Sequence, residues 1–392
     1  MMKKTGNVFV ADAQMRNSLA VIRSLGKKGL TVTGGEETRY ATGLFSRYCQ
    51  HSRTYPSPYK EPASFTQYML DEVRANQYDV LFPVNEETIL FIAERIDEFS
   101  RYTVVPYPDY KILSKAMDRI NTVKTALDYS VPCPKTYYMG RYGGKGFEEL
   151  AGKIEYPVII RPGSCRGPAG ALLCGSIQDF NERCREADSK YGPFLVQEHI
   201  PGSLVIGVYV LLNRQSEPVA LSVQKIIRSY PLSGGSGTLR ETIKDQRAVD
   251  HALRLLSAMK WNGFAKVEFC VDERDGSLKL SDVSPFFPGS LHLSILAGAD
   301  FPYLMYKMAM GEELEPDLSY KEGIKCRWLL PGDLMWFLAS SDKLEALPAL
   351  FTSNTADDIL SFDDPGPAVG FFLAAVRYFS DKEMRRLMLS KL

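Results

Sequence analysis

In the first part of the chain, short apolar runs alternate with segments whose apolar residues recur at helical spacing. Residues 7–11 (NVFVA) predict a buried strand, residues 16–28 predict a helix that ends at Gly29, and residues 30–33 predict a second strand. A strand, a helix and a strand in succession favour a parallel sheet covered by helices. We therefore predict an α/β domain that ends near residue 115.

The rest of the chain has a different pattern, in which strands are more frequent and turns separate many of them. Residues 115–129 and 245–259 predict amphipathic helices. Further elements are predicted as strands at 135–139, 156–161, 171–174, 194–198, 204–213 and 219–226 and a helix at 179–188. This pattern predicts an α+β architecture. The aromatic-rich residues 313–392 predict a helical appendage packed on it.

Two loops and one strand end are candidates for ligand contacts. The loop at 162–170 (PGSCRGPAG) is rich in glycine, so its backbone N–H groups can approach a phosphate, although such loops are more often ordinary turns. The loop at 231–241 (PLSGGSGTLRE) is predicted to be a flexible lid. Asp12 and Arg16 follow the first strand, where capping of the next helix is favoured over a ligand contact. No G-x-G-x-x-G follows that strand, so the dinucleotide fingerprint is absent.

The segment GFAKVEFCVDERDGSLKLSDVSPFFPGS predicts a hairpin around which the chemistry gathers. Asp-Gly lies between the predicted strands 264–271 and 278–283, and this dipeptide is a strong hairpin signal. The hairpin can bring Glu268 and Asp282 together, with Ser284 two residues further on. Two carboxylates and a hydroxyl suit Mg²⁺, which is commonly held by one or two carboxylates together with phosphate oxygens. The alternative is a surface hairpin with scattered acidic residues.

Composition excludes several classes of protein. The 392 residues include 47 Lys plus Arg and 47 Asp plus Glu, so no basic excess predicts a nucleic-acid partner. No uninterrupted apolar stretch of about 18 residues predicts a membrane span. The seven cysteines are odd in number and lack C-x-x-C spacing, and the four histidines lack metal-ligand spacing. We expect a cytoplasmic protein with reduced thiols and no zinc site.

Several separated segments, in this order, resemble the ATP-grasp superfamily, most closely the carbamoyl-phosphate-synthase-like carboxylate ligases. They are VFVADAQMRNSLAVIRSLGKKGLTV, AMDRINTVKTALDYSVPCPKT, YPVIIRPGSCRGPAG, FLVQEHIPG, WNGFAKVEFCVDERDG and SDVSPFFPGSLHLSILAGADFP. The resemblance covers roughly residues 6–312. It implies a pre-ATP-grasp α/β domain (1–115), a small lobe (116–195), a large lobe (196–312) and a C-terminal appendage (313–392).

The resemblance implies that ATP lies between the two lobes. The implied adenine hinge consists of Gln197, Glu198 and Ile200. The implied phosphate contacts are Arg119, Arg161 and the mobile loop with Ser164, Gly167 and Gly170. The implied Mg²⁺ ligands are Glu268, Asp282 and Ser284, and the implied substrate-carboxylate residues are Arg228 and Arg240, either of which is otherwise a surface arginine.

The chain departs from the family pattern at the reacting centre. Arg119 and Arg161 stand where lysines are usual, and Asp282 and Ser284 stand where Glu-x-Asn is usual. Phe286 replaces an arginine that helps to hold the reacting phosphate, and removal of such a donor typically costs about 10²–10³ in rate. Lys225 and Lys266 are candidates to replace the lost charge, but the sequence does not place them.

The implied function is ATP-dependent ligation of a small carboxylate to an amine or a related nucleophile, through an acyl phosphate. The alternative is a catalytically weakened protein that binds nucleotide or metabolite without ligation, for which the departures are the evidence. A third possibility is a subunit whose appendage recruits a partner enzyme. The expected partners are small-molecule substrates and, potentially, a second copy of the chain, with no nucleic acid and no membrane.

Overall fold

The computed structural model describes residues 6–140, 146–164, 171–202, 204–232, 235–350 and 354–380. These residues form three sheets with helices packed against them. We call them the N-terminal sheet, the small sheet and the large sheet, in chain order.

The N-terminal sheet has four parallel strands in the order β3-β2-β1-β4. Its strands and the helices of this part of the chain are β1 (Asn7–Val10), α1 (Arg16–Lys27), β2 (Thr31–Glu36), β3 (His51–Thr54), α2 (Pro62–Asn76), β4 (Val80–Phe82), α3 (Glu86–Ala93), α4 (Ile96–Phe99), α5 (Tyr110–Ala116) and α6 (Arg119–Asp128). Strand β1 is completely buried at Val8, Phe9 and Val10, as a central parallel strand covered on both faces should be. The predicted α/β opening is confirmed.

The small sheet has four antiparallel strands in the order β5-β8-β6-β7. Its elements are β5 (Thr136–Met139), α7 (Gly146–Ala151), β6 (Val158–Pro162), β7 (Leu172–Cys174), α8 (Ile177–Tyr191) and β8 (Phe194–Glu198). Helices α7 and α8 bury Phe147 and Phe180 against the sheet and close a core of their own. Because this core is separate, the sheet is a distinct lobe beside the large sheet.

The large sheet has seven strands in the order β13-β12-β9-β10-β11-β14-β15. Its elements are β9 (Val205–Leu212), β10 (Pro218–Tyr230), β11 (Ser236–Thr242), α9 (Gln246–Ala258), β12 (Gly263–Val271), β13 (Leu278–Ser284), α10 (Leu291–Ala297), α11 (Phe301–Ala309), β14 (Lys325–Arg327), α12 (Leu334–Ala339), α13 (Lys343–Ala349), β15 (Thr355–Asp357) and α14 (Gly366–Ser380). One face packs on α9 through Val208, Val223 and Val267. The other face packs on α1, α10 and α11 through Tyr209, Phe264 and Leu291.

Three predicted elements differ from the observed ones. The helix predicted at 115–129 is two helices, because Asp118 takes an extended backbone and its side chain caps α6 at Ile120 and Asn121. The predicted lid at 231–241 contains β11, which pairs with β10 from Ser236 onward. The predicted helical appendage also supplies β14 and β15, which extend the large sheet.

Helices capable of crossing a membrane were sought in the described residues. None of those helices is long and apolar enough to do so.

Candidate active site

The predicted hairpin places two carboxylates opposite each other at one edge of the large sheet. Glu268 on β12 pairs with Asp282 on β13, and Lys266 pairs with Ser284. Directly paired residues of an antiparallel ladder lie on the same face, with Cβ atoms about 4.5–5.5 Å apart. The sheet therefore gathers the three predicted metal ligands with a lysine between them.

Three cations neutralise these two carboxylates. Lys266 Nζ lies 3.0 Å from Glu268 Oε1, Arg119 Nε lies 3.5 Å from Asp282 Oδ1, and Arg161 Nη2 lies 3.7 Å from the same oxygen. We call Arg119, Arg161, Lys266, Glu268 and Asp282 the Asp282 cluster. Burial alone would lower the pKa of Lys266, but the Glu268 carboxylate reverses that effect and the pKa is raised. The cluster contains three positive and two negative charges, so it favours an additional anion.

The two arginines come from the small lobe and its entry helix. Arg119 begins α6, where its backbone N–H donates to Gly163 O at 2.8 Å and its Nη1 donates to Pro162 O at 2.8 Å. Arg161 lies on β6, and its Nη1 donates to the carbonyl of Ser281 in β13. The guanidinium groups therefore join the small sheet to the large one, across the cleft in which ATP-grasp proteins would hold nucleotide.

The glycine-rich loop is only partly within the described residues. Ser164 pairs with Asp118, next to Arg119. Gly167 and Gly170 lie outside the described residues.

The predicted hinge lies at the end of β8, the central strand of the small sheet. Gln197 is buried, and its Nε2 donates to Thr136 Oγ1 at 3.0 Å. Glu198 Oε1 accepts from the backbone N–H of Lys135 at 2.9 Å, and its Oε2 lies 3.2 Å from Arg274 Nη2. Ile200 is buried just beyond the strand. The side chains of this segment thus bind protein groups, so a nucleotide contact there falls to the backbone.

The two arginines predicted to hold the substrate lie in separate ion pairs. Arg228 Nη2 lies 2.7 Å from Asp333 Oδ2, and its guanidinium stacks on Trp336. Arg240 Nη2 lies 2.8 Å from Asp358 Oδ2. Both aspartates come from the C-terminal segment, and nothing in the sequence pattern pointed to them.

Asp358 is the centre of a second group of polar residues that sequence reasoning missed. It also accepts from Arg16 Nη1 at 3.1 Å and from the Cys326 thiol at 3.3 Å, and His292 Nδ1 lies 4.0 Å from Cys326 Sγ. We call Arg16, Arg240, His292, Cys326 and Asp358 the Asp358 cluster. One possible signal was the polar Asp-Asp pair beside a short strand, but its partners are too distant in sequence to infer.

The histidine, thiol and carboxylate of this cluster have ligand atoms within 4.8 Å of one another, a spacing that suits a metal ion. Two guanidinium groups already occupy Asp358, however, and a dication there would lie beside both. Burial lowers the pKa of His292 to about 4 and raises the pKa of the Cys326 thiol. The site therefore favours neutral imidazole and thiol beside two cations, which opposes metal binding.

Three further residues have clear positions. Asp12 accepts from the backbone N–H groups of Val84 and Asn85 and from Thr88, so it fixes the start of α3, and not of α1. The Phe286 side chain packs in the hydrophobic core of the large sheet. Lys225 pairs with Glu241 at 2.9 Å on the face opposite Lys266.

Known proteins with similar sequences include two ligases and a section of a synthase. No established family profile matches the chain. It is 24% identical over 211 residues to D-aspartate ligase of Enterococcus faecium (strain Aus0004), covering 49% of each chain. It is 25% identical over 213 residues to D-alanine–D-alanine ligase of Carboxydothermus hydrogenoformans, covering 50% of this chain and 67% of that one. It is 22% identical over 262 residues to the C-terminal section of the carbamoyl phosphate synthase large chain of Methanocaldococcus jannaschii. This match covers 59% of this chain and 42% of that section.

Solved structures share the fold at lower identity. Biotin carboxylase from Campylobacter jejuni, as its β,γ-ATP complex, superposes with a TM-score of 0.68 at 16% identity over 82% of this chain and 74% of that one. L-amino acid ligase from Bacillus licheniformis superposes with a TM-score of 0.61 at 14% identity over 80% and 76%. N5-carboxyaminoimidazole synthetase from Staphylococcus aureus, complexed with ADP, superposes with a TM-score of 0.62 at 13% identity over 83% of this chain and 81% of that one.

These likenesses confirm the class that the motifs predicted. The chain has the ATP-grasp fold, with an α/β sheet before it. Its resemblance is to the carbamoyl-phosphate-synthase-like carboxylate ligases. The chain spans about half the length of D-aspartate ligase and less of the carbamoyl phosphate synthase section.

Proposed function

We propose that this protein is an ATP-dependent ligase that joins a small carboxylate to an amine or a related nucleophile. The observation that carries the proposal is the Asp282 cluster, in which Arg119, Arg161 and Lys266 meet two carboxylates between the lobes. An excess positive charge at that point suits a polyphosphate with its metal ion. The ligase relatives support the same reaction class.

The residues present fit Mg²⁺. Glu268 and Asp282 offer carboxylate oxygens from paired positions on one face, and the Ser284 hydroxyl lies next to them. When bound, the ion supplies Lewis-acid polarisation of phosphate oxygens. Lys266, Arg119 and Arg161 then neutralise phosphate charge that the ion leaves uncovered, once they are released from the two carboxylates.

In the proposed reaction, a carboxylate oxygen attacks the γ-phosphorus of ATP and the bond to the β,γ-bridging oxygen breaks, giving an acyl phosphate and ADP. The amine nitrogen then attacks the acyl carbon, phosphate leaves, and the nitrogen loses a proton. The phosphate contacts are Arg119, Arg161, Lys266 and the loop with Ser164, Gly167 and Gly170. The backbone of Gln197, Glu198 and Ile200 would hold adenine, and arginines near β10 and β11, Arg228 and Arg240, would hold the substrate carboxylate.

The rival function is binding without ligation. Its main support is Phe286, which contributes no charge to the site because it packs in the core. Lys266 weakens that support, because its ammonium lies 3.0 Å from Glu268, on the same face of the large sheet as the two carboxylates. The lost guanidinium thus has a replacement cation in the chain, and ligation is the function that we favour.

The assembly and the compartment are also proposals. A homodimer is consistent with the dimer named for a biotin carboxylase domain of Hydrogenobacter thermophilus. A cytoplasmic location fits a nucleotide-dependent enzyme of free metabolites.

The test of the function is ADP release by the full chain with Mg·ATP across pairs of carboxylates and amines. The panel contains the L-amino acids, D-aspartate, D-alanine and ammonia. We expect one carboxylate to raise ADP release at least about tenfold over ATP alone, with formation of an amide product by mass spectrometry. ADP release that never exceeds the ATP-only rate, in a protein that binds Mg·ATP, would instead establish the binding function.

A further inference from the structure

We propose that the outer face of α14 is an interface between two copies of this chain. Four large apolar side chains define this face, which we call the α14 stripe: Val369, Phe372, Leu373 and Val376. The stripe gives a surface to the homodimer proposed above, and it does not depend on the ligase activity. The proposed reaction makes no use of α14.

The stripe is exposed although it is apolar. Its members are 55%, 56%, 41% and 70% exposed, in chain order. They recur at i, i+3, i+4 and i+7, so they share one side of the helix. Residues 366–376 contain no charged side chain, and the first one after them is Arg377, whose Nη1 donates to Thr38 Oγ1. Contiguous exposed apolar surface of this kind marks an interaction site.

Small residues on the inner side of α14 fix the orientation of the helix. Gly370 and Ala374 are buried, and a Cβ atom at Gly370 would lie 2.7 Å from Phe45 Cδ2. A Cβ atom at Gly366 would overlap the carbonyl oxygen of Phe45. Rotation of the helix to bury the stripe would therefore push large side chains into the space that the glycines leave for Phe45. The sequence thus turns the small residues inward and the large apolar ones outward.

The stripe is symmetric about its midpoint, which lies between Phe372 and Leu373. If two copies of α14 pack antiparallel about a two-fold axis at this midpoint, Val369 meets the partner's Val376 and Phe372 meets the partner's Leu373. A closed dimer needs this property, because in two-fold symmetry one patch must fit a copy of itself. The two Arg377 residues would lie about 13 Å apart along the helix axes, so the packing does not bring like charges together. The pattern therefore suits a second copy of this chain.

The absence of charge also favours a protein partner over a membrane surface. Helices that lie on membranes commonly have Lys and Arg beside their apolar face, and residues 366–376 contain neither. A contact made by one helix from each copy is small for a protein interface. We therefore expect a reversible dimer that forms at micromolar concentrations of the chain.

Sedimentation velocity of the full chain, from roughly 1 to 300 µM, measures the dimer. Two variants place opposite charges at the midpoint of the stripe, Phe372→Glu and Leu373→Lys. Each variant is measured alone, and then both are mixed in equal amounts, because the proposed axis sets position 372 of one copy against position 373 of the other. The matched control is Leu127→Glu, which puts a charge on a helical leucine that is 50% exposed in α6.

We expect the wild-type chain to dimerise, and Leu127→Glu to keep its dissociation constant within about twofold. Phe372→Glu and Leu373→Lys alone should each weaken the dimer at least about tenfold, because a charge is then buried against an apolar side chain. Their mixture should recover most of the loss, because the new carboxylate meets the new ammonium. Melting temperatures at the lowest concentration should stay within about 4 °C of wild type, since both positions are exposed.

A wild-type dimer that persists unchanged in both single variants would overturn this interface and leave the homodimer itself standing. A mixture that recovers nothing would overturn the antiparallel pairing. A wild-type chain that stays monomeric would reject both the interface and the homodimer, and binding to phosphatidylcholine–phosphatidylglycerol vesicles that Phe372→Glu abolishes would then assign the stripe to a membrane. Failure of the ligase function looks different, because no pair of substrates would raise ADP release while the sedimentation results stayed as expected.

Discussion

The Asp282 cluster and the Asp358 cluster have the same excess of one positive charge but differ in exposure and in sequence spread. Side chains of Lys266 and Asp282 are 15% and 28% exposed, whereas those of Arg240 and Asp358 are 2% and 1% exposed. The first cluster joins the small lobe to the large sheet. The second joins α1, the large sheet and the C-terminal segment. Similar charge is thus partly exposed between the two lobes in one place and fully buried in the other.

The largest effect is expected from the cation of the Asp282 cluster that replaces the lost arginine. Lys266→Gln should lower kcat for ADP release by about 10²–10³, because it removes a preorganised cation from the transferring phosphate. Steady-state kinetics would measure this loss, and Lys266→Arg should retain more than a tenth of the activity. Lys225→Gln, on the opposite face, is the control. Equal losses of kcat in Lys225→Gln and Lys266→Gln would show that the position of Lys266 in the Asp282 cluster has no special role.

The next effect concerns the metal carboxylates. Mg²⁺ should raise the ATP affinity of the wild-type chain, and Glu268→Gln should reduce the factor of that increase at least about tenfold. Affinity for ATP without Mg²⁺ should not fall, because the cluster becomes more positive. Titration calorimetry with and without the ion separates the two. A large fall of the ligand-free melting temperature, with unchanged Mg²⁺ dependence, would assign Glu268 a structural role.

A smaller effect is expected at the small lobe. Arg161→Lys should keep kcat/KM within about threefold of wild type, because it preserves the charge that faces phosphate. Arg161→Gln should lose at least about tenfold. If the lysine variant is as inactive as the glutamine variant, the site depends on the guanidinium itself and its bond to the Ser281 carbonyl.

The smallest effect is a dependence of stability on pH in the Asp358 cluster. The pKa of His292 is lowered to about 4 from 6.5, chiefly by burial, with Arg23, Arg240 and Lys27 opposing protonation and Asp358 favouring it. Between pH 6.5 and about 4 the unfolded chain therefore binds a proton that the folded chain does not, so the free energy of unfolding falls as pH falls through that window. His292→Gln should flatten this decline across the same pH window.

Urea unfolding at several pH values measures this slope. The exposed His51→Gln is the control. A slope in His292→Gln that equals the wild-type slope would show that this histidine titrates normally.

The two clusters also show what the sequence can reveal. Arg119, Arg161, Glu268 and Asp282 lie within motifs, and the hairpin signal places the last two opposite each other. Asp358 is 342 residues from Arg16 and 118 from Arg240, so no local pattern links them. The appendage was predicted only as packing because β14 and β15 have three residues each, too few to show a period.

The most direct test of the nucleotide site is a thermal-shift titration of the full chain with ATP, with and without Mg²⁺. A ligand that binds only the folded form stabilises it by RT ln(1 + [L]/Kd), so ATP at 100 Kd adds about 2.7 kcal/mol. We predict a Mg²⁺-dependent rise in melting temperature that Lys266→Gln reduces and Lys225→Gln does not. No rise at millimolar Mg·ATP would contradict the account, because the Asp282 cluster would then hold the lobes together without binding nucleotide.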